Sequence, residues 1–482
     1  MIRNKTILKK IFFILIPVSI TIIFIPGFTN SPVADDWIVI QRNMNLTFPD
    51  ILKLFTSTNF GWYRPIFELF IYLCSLCFNF QAIDYHVVIL ILYLFVLFLV
   101  GKISFLLTEE SGIGFLSAFI FGILSIHSEP VLWISAANEI LTAIFLLSSI
   151  YFYLVLRINS KKNFTYLFSL LFMVAALSTK ETSAFFPLMI PLIEYFIINE
   201  KNKNFTLHKL IPVIPFLLIQ IIYLVIRITA GFPYEISFHS LKVVYVLLYY
   251  LLVIVFSLPD NYGYLSSVNL WLTEPLFPII IILLSIVALS GYIWLFIKYS
   301  FKKHFTNHNN FIKLSICWML LSVLPILSMV SGRTAFLASI GYSWIFSLFI
   351  FSIIKSIRNH SKKIKLVFAT ISAGLILINI SVVQYRCHYW RLAGWTVKNV
   401  IHQLNDIVIN IPRGEEIYIF GLPDHLNRAY TFRNAVSTIN KIYYPDHKIK
   451  VWLDTELNKI SKKNYLNKNS FIYQNGNLIK QE

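Results

Sequence analysis

Long apolar runs alternate with short polar segments over most of this chain. Runs near or above the ~18 residues that can cross a bilayer occupy 11–28, 210–226, 241–258, 276–297, 311–330, 334–354 and 366–384. Lys242 and Lys313 are their only charges. Shorter runs at 66–80, 87–101, 113–126, 140–156, 164–178 and 183–198 can span if their polar ends are included. The pattern predicts an all-α polytopic membrane protein of eleven to thirteen transmembrane helices. The first run follows basic residues, as in a signal peptide, but Pro26-Gly27-Phe28 is a poor cleavage site. It is therefore read as an uncleaved span.

After residue 385 the pattern changes, which divides the chain into a membrane body (1–385) and a small α/β domain (386–482). Val397, Val400, Ile401, Leu404 and Val408 recur at helical spacing. Ile417-Tyr418-Ile419-Phe420 predicts a strand stopped by Gly421 and Pro423. Phe471 to Ile479 predicts a hairpin turning at Asn475-Gly476, because Asn-Gly suits the tight two-residue turn. The other sizeable polar stretch is the first loop, 29–65. There Phe48-Pro49-Asp50-Ile51-Leu52 predicts a short helix on the membrane surface that would hold the acids of this loop in place.

Composition supports the membrane reading. The chain is 57% hydrophobic and 13% charged, with a mean hydropathy of +0.70, whereas roughly a quarter of a soluble chain is charged. The net charge of +18 is unevenly placed. Lys and Arg cluster at 3–10, 157–162, 201–209, 298–313 and 355–365, while 127–139 and 259–275 carry acids and neither Lys nor Arg. By the positive-inside rule the basic clusters are cytoplasmic. The protein is then a multi-pass protein of the cytoplasmic membrane, with its N-terminus inside and its C-terminal domain extracytoplasmic. The charge thus has a topological use, and no nucleic-acid partner is expected. If 66–80 and 241–258 both span, the clusters at 157–162 and 201–209 fall outside; if both are re-entrant or lie along the surface, every cluster is inside. Hydropathy favours the first arrangement and charge the second. Cys74 and Cys77 form a C-x-x-C within an apolar helix with no second pair, so they and Cys317 and Cys387 read as buried structural thiols.

Candidate chemistry begins with Asp35 and Asp36, adjacent acids in a chain with only 23 acidic residues. Arg64 lies just before Pro65, a residue suited to a first helical position, with Glu68 one turn further on. Its guanidinium can hold a phosphate by two parallel hydrogen bonds or snorkel to lipid headgroups. His127, Glu129 and Glu139 lie within thirteen residues. They could hold a divalent metal, but the spacing is no standard ligand set, and no cofactor is expected. Glu139 could equally favour the start of the following helix. Lys180 and Glu181 sit at a helical turn, where they could simply neutralise each other, and Arg333 precedes the run 334–354. Ionisable groups near membrane depth usually face a cavity. Taken together, the acids, Arg64, Lys180 and Arg333 suggest a site for a phosphate-bearing lipid and a hydroxyl-bearing acceptor.

On these motifs the chain resembles a GT-C fold glycosyltransferase. It is most similar to the protein O-mannosyltransferase branch, including the transmembrane and tetratricopeptide-repeat-containing mannosyltransferases and their bacterial relatives. Asp35-Asp36-Trp37 fits the acidic motif of the first outer loop, and Tyr63-Arg64-Pro65 fits a Tyr-Arg-Pro motif. Tyr85-His86 falls where a His begins the third helix, and Thr179-Lys180-Glu181 fits a Lys-Glu motif. His127 through Glu139 resembles a His-Pro, Glu, Trp-Ile-Ser and acid motif. Arg333 through Gly341 resembles a Glu-Arg…Tyr-x-Pro-x-x-Gly stretch. Pro130 lies three residues after His127, Glu139 stands for an Asp, and Gly332, Phe336 and Ala338 stand for Glu, Tyr and Pro. The tail lacks 34-residue helical repeats.

The resemblance implies an inverting transfer of a sugar, mannose in that branch, from a polyprenyl-phosphate donor. The acceptor would be a hydroxyl of a protein, lipid or glycan at the extracytoplasmic face of the bilayer. Asp35 or Asp36 would be the general base, a task worth ~10²–10⁴-fold. Arg64, Lys180 and Arg333 would hold the leaving phosphate. Trp37, Tyr63, His86, His127, Glu129, Glu139 and Glu181 would bind substrate or support the site. The rivals are a transporter or flippase for lipid-linked sugars, which predicts paired interrupted helices, and an oligosaccharide polymerase or ligase.

Overall fold

The computed structural model describes residues 14–58, 62–159, 163–198, 207–230, 248–250, 252–255, 276–299, 308–327, 331–427, 429–459 and 469–481. The basic cluster 3–10 and the segment 259–275 lie outside them, as do most of 201–209 and most of the run 241–258. Among the described residues, 8 helices are long and apolar enough to cross a membrane, or 9 if one bent pair counts as a single span. Three shorter apolar helices accompany them, and only by including these does the count approach the expected eleven to thirteen. Side chains such as Val287, Ile297, Leu366 and Leu377 are more than 60% exposed, as apolar faces turned toward lipid would be.

The first described helix is α1 (Ile14–Gly27). The first loop then folds into α2 (Asp35–Met44) and α3 (Phe48–Leu54). As expected, α3 is a short helix with exposed Phe48 and Leu52, and a Thr47–Asp50 capping box starts it. After α4 (Pro65–Phe78) come α5 (Ala82–Thr108) and α6 (Ser111–Ile123). Gly101 and Gly114 let this pair approach closely, since a Cβ on either would meet the other's carbonyl oxygen at 2.8 Å. Next follow α7 (Ser128–Leu132), bent 58° from α6, then α8 (Asn138–Asn159), α9 (Asn163–Leu177) and α10 (Phe186–Ile193), which runs on into a π-helical turn, Glu194–Ile198. Among the described residues the body continues with α11 (Ile214–Ala230), α12 (Leu276–Tyr299), α13 (Asn309–Val323), α14 (Phe336–Ile357) and α15 (Lys362–Ile409). Tryptophans tie the centre together: Trp344 Nε1 donates to the Val100 carbonyl at 3.3 Å and Trp318 Nε1 to that of Leu337 at 2.7 Å.

The two ends of the bundle differ in charge. At one end lie the acidic turn of α2 and the starts of α8, α10 and α14. The opposite end carries Arg157 at the close of α8, Lys298 at the close of α12, Lys355 at the close of α14 and Lys362, Lys363 and Lys365 at the start of α15. Arg157 pairs there with buried Glu194 (2.5 and 2.9 Å), and Lys355 with Glu110 (2.6 Å). Helix α4 begins at the acidic end, where Arg64 meets Glu181. It also finishes there, since Phe80 stacks on Trp37 at 5.1 Å and Phe78 packs edge-on against Tyr85 at 5.6 Å. The run 66–80 therefore lies across the bundle end and does not pass through it. Glu68 on this helix accepts from Asn43 Nδ2 of the first loop at 2.5 Å.

Helix α15 contains 48 residues, about 72 Å at 1.5 Å per residue and so twice the ~30 Å hydrocarbon core. It runs unbroken through residue 385, where the sequence turns polar. Its last turns bury Val397, Val400 and Leu404 against a four-stranded sheet of order β4-β1-β5-β6. The strands are β1 (Glu416–Leu422), β4 (Lys448–Leu453), β5 (Ser470–Gln474) and β6 (Asn477–Lys480). β1 pairs in parallel with β4 and β5, and β5 turns antiparallel into β6 through Asn475-Gly476, the expected hairpin. Gly421 interrupts the β1–β4 register without ending the strand, which runs to Leu422. A second pair, β2 (His425–Leu426) and β3 (Ala429–Tyr430), and helix α16 (Val436–Tyr443) lie toward the acidic turn. Of the cysteines only Cys74 and Cys387 are buried; Cys77 is exposed and Cys317 intermediate, because they lie on outward helix faces.

Candidate active site

Asp35 and Asp36 open α2 through a tight turn. The Asp36 amide donates to the Val33 carbonyl at 3.0 Å, and Ala34 takes φ 46° and ψ −125°, a region that costs a non-glycine residue ~1–3 kcal/mol. The two carboxylates diverge, from a helix start and not from an extended loop. Asp36 turns inward and is fully buried. Its Oδ1 accepts from the amide and hydroxyl of Ser135 (2.8 and 2.6 Å), and its Oδ2 from the Val33 amide (3.3 Å). Burial outweighs these hydrogen bonds and, with the neighbouring Asp35 charge, pushes the Asp36 carboxyl up to about 7. Asp35 stays partly exposed, and its Oδ1 accepts from Asn434 Nδ2 at 2.7 Å. The acids are thus held by Ser135 and by the C-terminal domain. The surface helix α3, expected to do this, instead reaches Tyr63, whose hydroxyl donates to the Phe55 carbonyl at 3.3 Å.

Each candidate cation meets an acid. Arg64 forms a two-point pair with Glu181 (3.1 and 2.6 Å) and lies 4.3 Å over the Trp62 ring. Lys180 pairs with Glu139 and reaches Asn138 Oδ1 at 3.3 Å. Lys180 and Glu181 thus take other direct partners, Glu139 and Arg64, because their side chains leave the turn toward different helices. Arg333 meets Glu129 at 3.1 Å and lies 4.7 Å over Trp133. Exposure separates the three. The Lys180–Glu139 side chains are 6% and 0% exposed, against 18% for Arg64 and 16% for Arg333, so the two arginines are the ones within a ligand's reach.

These pairs form one network. Lys180 lies within the electrostatic range of Arg64, Glu181 and Arg333. A hydrogen-bond path also joins Lys180 to the acidic turn: Asn138 accepts from Lys180 and donates to the Ser135 carbonyl at 3.1 Å, and Ser135 holds Asp36. The other candidates are internal supports. Trp37 stacks on Phe80, His86 Nε2 contacts Thr29 Oγ1 at 2.7 Å, and His127 bridges the Tyr93 hydroxyl (2.7 Å) and Ser339 (2.9 Å). His127, Glu129 and Glu139 are each engaged with a different partner. Among the described residues no cluster of three or more His, Cys, Asp or Glu side chains is arranged to hold one.

Sequence reasoning missed two participants. Arg386, buried in α15, donates Nη1 to the Ser125 carbonyl (2.7 Å) and Ser128 Oγ (3.2 Å), and its charge reaches Glu129. A lone Arg directly after the run 366–384 was the available signal. Asn434, an exposed amide in the tail, carried none.

No protein-family model and no curated protein matches this sequence. Solved structures do match its fold. Archaeal oligosaccharyltransferase AglB from Archaeoglobus fulgidus, in complex with an inhibitory peptide and a dolichol-phosphate, aligns with a TM-score of 0.50 at 9% identity, over 90% of this chain and 64% of that one. The Archaeoglobus fulgidus oligosaccharyltransferase tethered to an acceptor peptide with an NVT sequon gives 0.50 and 9%, over 91% and 63%. The chain thus spans under two thirds of those proteins. Its fold is that of the GT-C membrane glycosyltransferases, with a small mixed sheet at the C-terminus.

Proposed function

We propose that this chain is an integral-membrane glycosyltransferase that moves a sugar, mannose in the branch its motifs resemble, from a polyprenyl phosphate to a hydroxyl acceptor. The reaction takes place at the extracytoplasmic face and inverts the anomeric carbon. One observation carries the reading: a partly exposed carboxylate, Asp35, shares one end of a GT-C bundle with two partly exposed arginines, Arg64 and Arg333, while the basic helix ends lie at the other. The AglB structure with dolichol-phosphate supports a lipid-phosphate donor.

Asp35 accepts the proton of the acceptor hydroxyl as its oxygen bonds to the anomeric carbon. The bond from that carbon to the phosphate oxygen breaks on the opposite side, and its electron pair leaves with the polyprenyl phosphate. Phosphate leaves readily, so no general acid is needed. Arg64 and Arg333 share the developing phosphate charge by loosening their carboxylate pairs, and Lys180 acts from behind them through the network. Asp36 is poorly suited as base, because its oxygens already accept three hydrogen bonds and it is sealed from water.

The test uses the purified protein in proteoliposomes with undecaprenyl-phosphate mannose and a panel of hydroxyl acceptors, reading release of undecaprenyl phosphate. Asp35→Asn is expected to lower kcat by about 100-fold or more with an unchanged thermal midpoint. Wild-type rates in that variant would remove Asp35 from the mechanism.

A further inference from the structure

The C-terminal domain reaches the acidic turn at several points. The Thr431 carbonyl accepts from the Ala34 amide at 2.7 Å, and Asn434 Nδ2 donates to Asp35 Oδ1 at 2.7 Å, from 399 residues along the chain. Tyr430 packs 5.0 Å from Trp133, whose ring also lies beneath Arg333, and Tyr443 meets Trp37 edge-on at 5.9 Å. The arm that carries Asn434 is itself anchored. The Thr431 amide donates to the Asp424 carbonyl at 3.0 Å and the Ala435 amide to that of Phe432 at 2.6 Å, while Ala429, Phe432 and Ala435 are buried. Asn434 itself is exposed, so packing does not explain where it points.

We propose that Asn434 is a positioning residue for Asp35, supplied to the active site by the C-terminal domain, which thereby forms a working wall of that site. The physical need is clear. A half-exposed carboxylate at a helix start is free to rotate, and Ala34 holds this turn in a backbone conformation it does not favour unaided. An amide bonded to Oδ1 fixes the plane of the carboxylate. Among the described residues Oδ1 alone is engaged, which leaves Oδ2 to receive the acceptor's proton. The inference rests on Asp35 being the base.

Two readouts separate its failure from failure of that reading. The first needs no substrate: modification of Asp35 by a water-soluble carbodiimide at pH 7, quantified by peptide mass spectrometry. Asn434→Ala is expected to raise the Asp35 rate severalfold, and Asn434→Gln to restore most of the protection. Unchanged Asp35 reactivity in Asn434→Ala overturns the proposal. The second is kinetic, in the undecaprenyl-phosphate mannose assay. There Asn434→Ala should lower kcat about tenfold, the scale of one hydrogen bond to a charged group, with donor KM and thermal midpoint unchanged. Adding it to Asp35→Glu should cost nothing further. A normal kcat in Asn434→Ala beside a dead Asp35→Asn overturns the positioning role and leaves the glycosyltransferase reading standing. Full activity in Asp35→Asn overturns that reading, and the carbodiimide result still decides the contact.

Discussion

Asp35 and Asp36 show how one peptide unit can separate two chemical fates. The same side chain is partly exposed at one position, and buried at the next with its oxygens bonded to Ser135 and Val33. The raised Asp36 carboxyl has a consequence for stability. Its folded value is about 7 and its unfolded value about 4, so between these limits the folded state binds the extra proton. The stability this contributes is fully present below about pH 4 and is lost as pH rises to about 7, on the order of a few kcal/mol. Asp36→Asn, neutral throughout, is expected to flatten that slope. Thermal midpoints measured from pH 4 to 8 for both proteins check this, and parallel curves would contradict it.

At the scale of elements, α15 joins the membrane body to the sheet, and small residues let the body reach it. A Cβ on Gly394 would meet Thr29 Cβ at 2.7 Å, and one on Gly27 would meet Cys387 Sγ at 2.8 Å. Thr29 in turn holds His86. Gly394→Val should therefore push the strut off the segment before the acidic turn. The expected cost is roughly 1–3 kcal/mol, read as a lowered thermal midpoint, together with reduced transfer. Gly374, whose added Cβ would meet nothing within 4 Å, is the control: Gly374→Val should leave transfer unchanged.

For the whole molecule, the segregation of basic helix ends from the acidic end makes the expected orientation testable. α15 reports on both ends by itself. His402, with an 80% exposed side chain, lies on its far part, and Lys363, also exposed, near its start. In intact cells a membrane-impermeant maleimide should label His402→Cys, and should label Lys363→Cys only after permeabilisation. The reverse pattern would place the acidic turn in the cytoplasm and remove the extracytoplasmic donor reading.

Hydropathy, charge placement and local turn chemistry were legible without coordinates because each depends on neighbours in sequence. Most of the spans, the Phe471–Ile479 hairpin, the strand around Ile417–Phe420 and the short helix at Phe48–Leu54 belong to that class. Decisions between remote groups were not legible. Tertiary contacts chose Asp36 for burial and Asp35 for exposure, matched Arg64 to Glu181 and Lys180 to Glu139, laid α4 across the bundle, and brought Asn434 and Arg386 to the site. The reason is physical: a side chain's exposure and charge partner are set by whatever folds against it, and here those partners lie tens to hundreds of residues away.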